Sequence, residues 1–178
     1  MSPRVYLTGF MASGKSTVGP LVADRLGYRF VDLDWLIEAR TGQTIPALFE
    51  RGGEAAFREA EAEALAETTN AEGLVVATGG GALVDLVNLW TAQTAGVVVW
   101  LRASAATTLA RLGDAGGRPL LADGAGRPLQ GEALARRVGA LLAEREPTYA
   151  QAHFVVDADR LPALVARDVA EAVVERGG

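Results

Sequence analysis

The run Gly9-Phe10-Met11-Ala12-Ser13-Gly14-Lys15-Ser16 has the residue types and spacing of a phosphate-binding P-loop. Its glycines let successive backbone N–H groups turn inward around a polyphosphate, at the positive end of the helix that follows. Lys15 adds a mobile charge for the β and γ phosphates, and the Ser16 hydroxyl is placed to ligate magnesium. Of the 17 basic residues, all but Lys15 are arginine, so the one lysine of the chain stands where the motif needs it. An ordinary glycine-rich turn is the alternative. A strand-like run before the loop and a helical pattern after it argue against that alternative.

The lone lysine also bears on what kind of nucleotide protein this is, because the Asn-Lys-x-Asp motif that reads guanine in a GTPase cannot be built without a second one. Asp32-Leu33-Asp34 reads as the end of the second strand, where alternation puts both carboxylates on one face. Two carboxylates beside a polyphosphate suit one magnesium contact and one substrate hydroxyl, while a helix cap at Asp34 ahead of Trp35 is the competing reading. Phe57, Arg58 and Glu61 share a helix, with Glu61 within reach of Arg58. That pair is either a surface ion pair or a device holding the guanidinium flat for a carboxylate, with Phe49 and Phe57 as apolar walls. Gly79, Gly80 and Gly81 invite close backbone approach to a ligand. Arg118-Pro119-Leu120-Leu121 opens a loop suited to a closing lid, and Arg145 precedes Pro147 and Tyr149 at a helix end. For Arg118 and Arg145 a solvated surface position is the alternative.

The elements that must position these groups follow from apolar periodicity. Strands are expected at 5–7, 29–33, 74–77, 97–101 and 154–156. Helices are expected at 16–26, handicapped by Pro20, from 35 to a stop at Gly42, in a short stretch capped by Thr44 with Pro46 inside it, at 54–67, after Ser104, around 134–142, and around 164–173. Residues 113–131 are rich in Gly, Pro, Asp and Ala without periodicity, and read as one long loop. Alternating strands and helices imply a single α/β domain over residues 1–178, a doubly wound parallel sheet of about five strands with ligands beyond its carboxyl ends.

Composition narrows the chemistry further. Net charge is −5, opposite to the balance of a nucleic-acid or anionic-membrane binder, so an anionic ligand must be met locally. No cysteine is present and His153 is the only histidine, which removes disulfides, thiolate metal clusters, cysteine nucleophiles and multi-histidine metal sites. The longest uncharged stretch, 86–101, is too short and too polar to span a membrane. The first residues carry no signal-peptide core, so a cytoplasmic protein is expected.

In their order and spacing these motifs resemble the shikimate kinase family, over nearly the whole chain. The resemblance rests on the P-loop with Ser16-Thr17-Val18-Gly19, Asp32-Leu33-Asp34, the helix carrying Gly53-Glu54, Phe57-Arg58 and Glu61, the triple glycine, Arg118-Pro119-Leu120-Leu121, and Arg145 before Pro147 and Tyr149. It implies a P-loop kinase fold of the nucleoside-monophosphate-kinase type and phosphate transfer from ATP to the 3-hydroxyl of shikimate. It further implies that Gly9, Ala12, Ser13, Gly14, Lys15, Ser16 and Thr17 hold ATP, that Ser16 and Asp32 organise magnesium, and that Asp34 engages the substrate hydroxyls. Arg58, Arg145 and the backbone at Gly80 would hold shikimate among Phe49, Phe57, Gly79 and Gly81, on helices spanning about 33–67. Arg118 would act from a lid at about 113–131, and Arg111 with a loop around 159–162, including Arg160, would meet adenine. A monomer is expected. The chain departs from the family pattern at Ala12, Pro20 and Thr148, and Arg127-Pro128-Leu129 echoes the lid motif, leaving two candidates for the lid arginine. A gluconate-type sugar-acid kinase and a catalytically inactive nucleotide-binding module are the rival readings.

Overall fold

The apolar runs become five strands, all parallel. The computed structural model describes residues 3–113 and 118–177. Within them β1 (Arg4–Thr8), β2 (Arg29–Asp32), β3 (Leu74–Ala77), β4 (Gly96–Arg102) and β5 (Phe154–Asp157) form one sheet in the order β2-β3-β1-β4-β5. Val5 of β1 lies opposite Val75 on one side and Val97 on the other, so β1 is central, with β2 and β3 to one side of it and β4 and β5 to the other. A crevice opens beyond the carboxyl end of a strand at such a switch point, and the P-loop leaves β1 there.

Alternation along β1 divides the core. Val5 and Leu7 face α1 (Lys15–Leu26) and α7 (Pro162–Gly177), packing with Val18, Val22, Val165 and Val169. Tyr6, Val76 and Val98 face α2 (Leu33–Thr41), α3 (Ile45–Thr68) and α4 (Leu86–Ala95), packing with Leu33, Ile37, Leu65 and Leu89. Both faces of the central strands are covered, which is why β1, β3 and β4 carry continuous apolar runs, whereas the edge strands β2 and β5 are only partly buried. A third cluster of Phe10, Trp100, Leu121, Leu134, Val138 and Tyr149 joins the P-loop, α5 (Ala105–Leu112) and α6 (Gly131–Tyr149). Pro20 lies inside α1 without ending it. One residue earlier, a β-carbon on Gly19 would fall 2.2 Å from the Phe30 ring, so α1 seats against β2 more closely than any side chain permits.

Several expectations need correction. The strand at 29–33 stops at Asp32, whose carboxylate accepts from Asp34 N and caps α2. Asp32 and Asp34 therefore do not share a strand face, and the cap is Asp32 and not Asp34. The helices expected on either side of Gly53 run on as one element broken there, where φ 69° and ψ −168° exclude a side chain at low cost. Helix α4 was not expected from the uncharged stretch, although Asp85 caps it by accepting from Val87 N and Asn88 N.

The segment 113–131 is not one featureless loop. Residues 114–117 lie outside the described residues, but Pro119–Leu121 form a 3-10 turn with Leu121 fully buried. Ala122 then bridges Pro128 in an antiparallel turn, closed by Asp123 accepting from the backbone of Ala125 and Arg127. A single buried leucine and a side-chain-capped turn leave no periodic trace in sequence. Among the described residues no helix is long and apolar enough to cross a membrane.

Candidate active site

The P-loop wraps back toward the strand it left. Gly9 has φ 141°, and a β-carbon there would lie 2.5 Å from the Leu101 carbonyl oxygen, so glycine is required by both conformation and space. Ala12 holds a left-handed φ of 59°, a conformation that costs a non-glycine residue about 1–2 kcal/mol. Lys15 Nζ donates to the carbonyls of Gly9 at 2.8 Å and Phe10 at 2.9 Å, and to Ser13 Oγ at 3.3 Å. Burial lowers its pKa from 10.5 to about 8, against the pull of Asp34 and Asp32. An ammonium so poorly solvated gains most from a polyphosphate arriving beside it.

A cleft of about 560 Å³ lies over this loop. It brings together Ala12, Ser13, Gly14, Lys15, Ser16 and Thr17 with Arg111, Arg118 and Arg160, so it collects every nucleotide-binding residue expected from the sequence except Gly9, which shapes the loop from below. Arg111 Nη2 donates to the Ala158 carbonyl at 2.8 Å, fastening α5 to the loop after β5. Arg160 lines the same cleft but ion-pairs with Asp168 on α7, so its guanidinium is partly committed to the protein. Ser16 Oγ donates to Asp32 Oδ2 at 2.7 Å. That hydroxyl and carboxylate form a hard oxygen pair beside the phosphate loop, a donor set that fits magnesium held jointly with substrate phosphates. Among the described residues no group of three acidic, histidine or cysteine side chains offers an all-protein cage.

On the other side of the P-loop stands the turn Gly79-Gly80-Gly81, and nearly every group of a substrate site touches it. A β-carbon on Gly79 would lie 3.0 Å from Glu61 Oε1 and 3.4 Å from Asp34 Oδ1. One on Gly80 would lie 3.2 Å from Met11 N, and one on Gly81 3.0 Å from Arg58 Nη2. Arg145 Nη1 donates to the Gly80 carbonyl at 3.2 Å, as does the Tyr149 hydroxyl. Burial raises the pKa of Asp34, with Asp32 and Glu38 adding to the effect and Lys15 opposing it, and such a carboxylate is a better proton acceptor at neutral pH.

Arg58 is held more firmly than a surface pair would hold it. Its Nη1 meets Glu61 Oε2 at 2.6 Å, and Glu61 is 1% exposed, so the surface-pair alternative fails. Its Nη2 meets the exposed Glu54 at 3.3 Å, and its Cζ lies 5.2 Å from the Phe57 ring centroid. Phe49 stacks on Phe57 at 4.8 Å. A second cleft of about 500 Å³, lined by Ile45, Phe49, Glu50, Arg118, Pro119 and Asp123, separates the first half of α3 from the lid segment. Arg118 lines both clefts, whereas Arg127 is mostly exposed and paired with Asp123. Sequence reasoning missed Glu54 as a partner of Arg58 and treated Tyr149 only as part of a motif. The four-residue spacing from Glu54 to Arg58 was a usable signal for the first; nothing in the sequence pointed to the Gly80 contact.

A family model described as shikimate kinase matches residues 11–176. A shikimate kinase of Salinibacter ruber is 51% identical over 88% of this chain and 78% of that protein, and one of Gloeobacter violaceus is 47% identical over 97% and 93%. Among solved structures, the shikimate kinase from Acinetobacter baumannii in complex with shikimate matches with TM-score 0.87 and 35% identity, covering 99% of this chain and 95% of that one. A gluconokinase from Sinorhizobium meliloti matches with TM-score 0.62 at 17% identity, which is a likeness of fold alone. The chain belongs to the shikimate kinase family, phosphotransferases that use ATP with an alcohol acceptor.

Proposed function

We propose that this protein transfers the γ-phosphoryl group of ATP to the 3-hydroxyl of shikimate, giving shikimate 3-phosphate and ADP, with the residue roles that follow. The observation that carries this reading is that one short turn, Gly79–Gly81, meets the P-loop, Asp34, Glu61, Arg58 and Arg145. A hydroxylated carboxylate bound there would present its hydroxyl between Asp34 and the phosphate loop. The attacking oxygen bonds to the γ phosphorus, the bond to the bridging oxygen of ADP breaks, and the hydroxyl proton passes to Asp34. Lys15 and Arg118 offset the charge spreading over the transferring group. Magnesium, were it held through Ser16 and Asp32, would supply further neutralisation of the phosphate charge. Arg58 and Arg145 grip the substrate carboxylate, with Phe49 and Phe57 as the apolar wall, and Arg111 and Arg160 flank the base.

We further propose that the protein is a monomer and acts in the cytoplasm. Sedimentation equilibrium in micromolar protein checks the first assignment and cell fractionation the second. The activity is tested by coupled ADP release with shikimate and gluconate side by side. Turnover with shikimate is expected; turnover with gluconate alone would overturn the assignment.

A further inference from the structure

Tyr149 ends α6, is 2% exposed, and packs its ring against Trp100 at 5.8 Å between centroids. Its one polar atom crosses to a different part of the fold and donates to the Gly80 carbonyl, the same acceptor that Arg145 Nη1 uses. Burial pushes the phenol pKa up, so the hydroxyl remains a donor at neutral pH. The acceptor belongs to the peptide that separates the two proposed substrate arginines, for the next α-carbon, Gly81, faces the Arg58 guanidinium. Arg145 also lies over the Phe10 ring, 5.6 Å from its centroid, so it is confined by P-loop, turn and its own helix together.

We infer that Tyr149 is a positioning residue of the substrate site: by sharing the Gly80 carbonyl with Arg145 it fixes that peptide and the aim of the Arg145 guanidinium. This rests on the reading of Arg145 as one arm of the carboxylate clamp. A carbonyl with two lone pairs serves both donors at once, and two donors on one oxygen restrict the peptide's rotation more than one does. The triple glycine makes such restraint necessary, since that turn has no side chains of its own to pack. With 2% of its surface exposed and its hydroxyl committed to the Gly80 carbonyl, Tyr149 acts through the peptide and the arginine beside it.

The test is a cycle of Tyr149→Phe, Arg145→Lys and the double variant, with ATP and shikimate titrated separately. Tyr149→Phe deletes one oxygen and leaves the Gly80 carbonyl paired with Arg145, so folded enzyme is expected; a thermal melt checks this. The shikimate KM should rise about three- to tenfold, the value of one hydrogen bond, with kcat and the ATP KM within about twofold, a conservative margin for unperturbed parameters. In the Arg145→Lys background the same change should add less than about twofold, because residues acting as a unit are not additive. Equal effects in both backgrounds, no change in shikimate KM, or a matching loss in ATP KM would overturn the proposal. Failure of the clamp reading has a separate signature: Arg145→Lys alone would then leave shikimate KM unchanged.

Discussion

Replacing Arg58 by lysine separates a carboxylate clamp from an ordinary ion pair. In the structure the guanidinium serves two directions at once. One edge is tied to Glu61, which is almost wholly buried, and the other meets Glu54, which is largely exposed and pays little to let go. A substrate carboxylate can therefore displace Glu54 from its edge while Glu61 continues to anchor the other. A lysine ammonium keeps the charge but has no planar fork, and cannot hold Glu61 and present a flat two-point donor face to the substrate.

The magnitude follows from burial. Truncating one partner of a buried, hydrogen-bonded charge pair costs about 2–5 kcal/mol, and Arg58 itself is 35% exposed, so the lower part of that range applies. About 2–3 kcal/mol corresponds to a fall of roughly 30- to 150-fold in kcat/KM for shikimate. The ATP KM should stay within about twofold, as expected for a residue remote from the nucleotide. Steady-state kinetics with each substrate varied at saturation of the other reads both quantities. A loss below about threefold, the scale of an exposed ion pair, would refute the two-edged role of Arg58 and leave it only its structural pairing with Glu61.

Glu54→Gln removes the exposed competitor for that same edge, and should lower the shikimate KM by about two- to fivefold, the range for an exposed pair; a rise in KM would mean that Glu54 orients the arginine instead. Asp34→Asn should retain MgATP affinity and lose kcat, because an amide cannot take the hydroxyl proton. Asp32→Asn should instead raise the magnesium concentration needed for half-maximal rate, and its fold should survive because asparagine caps helices as well as aspartate; identical magnesium curves for both variants would contradict the division of roles. Lys15 provides a pH test. Its folded pKa of about 8 lies below the 10.5 of a free lysine, so between those values the unfolded chain binds the proton and the folded one does not. Stability therefore rises with pH across that window by at most about 3 kcal/mol, and urea titrations at pH 7.5 and 10 should show this gain in the parent but not in Lys15→Met.

Fold and site were unequally legible in the sequence, for physical reasons. The central strands β1, β3 and β4 could be read because strands covered on both faces demand unbroken apolar runs, and the P-loop because its chemistry is compressed into eight consecutive residues, Gly9 to Ser16. The uncharged α4 left no comparable mark, since apolar residues surround it and Leu86, Val87 and Trp90 remain exposed. The Asp32-Leu33-Asp34 triplet misled because the change from strand to helix falls inside it. Alternation predicts two carboxylates on one face, whereas the helix turn lets Asp32 cap the backbone of Asp34 while still reaching Ser16.

What made Arg58 ambiguous was distance along the chain. Arg58 and Glu61 have the spacing of countless solvated helix pairs, and what the spacing does not show is that the carboxylate is buried, with Gly79, eighteen residues beyond Glu61, packed against it. The same turn explains why glycine occurs three times in succession there. A side chain at Gly79 would strike Glu61, one at Gly80 would press on the P-loop backbone, and one at Gly81 would meet Arg58. The turn brings a nucleotide loop and a substrate clamp within a few ångströms because it contributes no side chains. It is then left to Arg145 and Tyr149, from a helix far along the chain, to hold its central carbonyl in place.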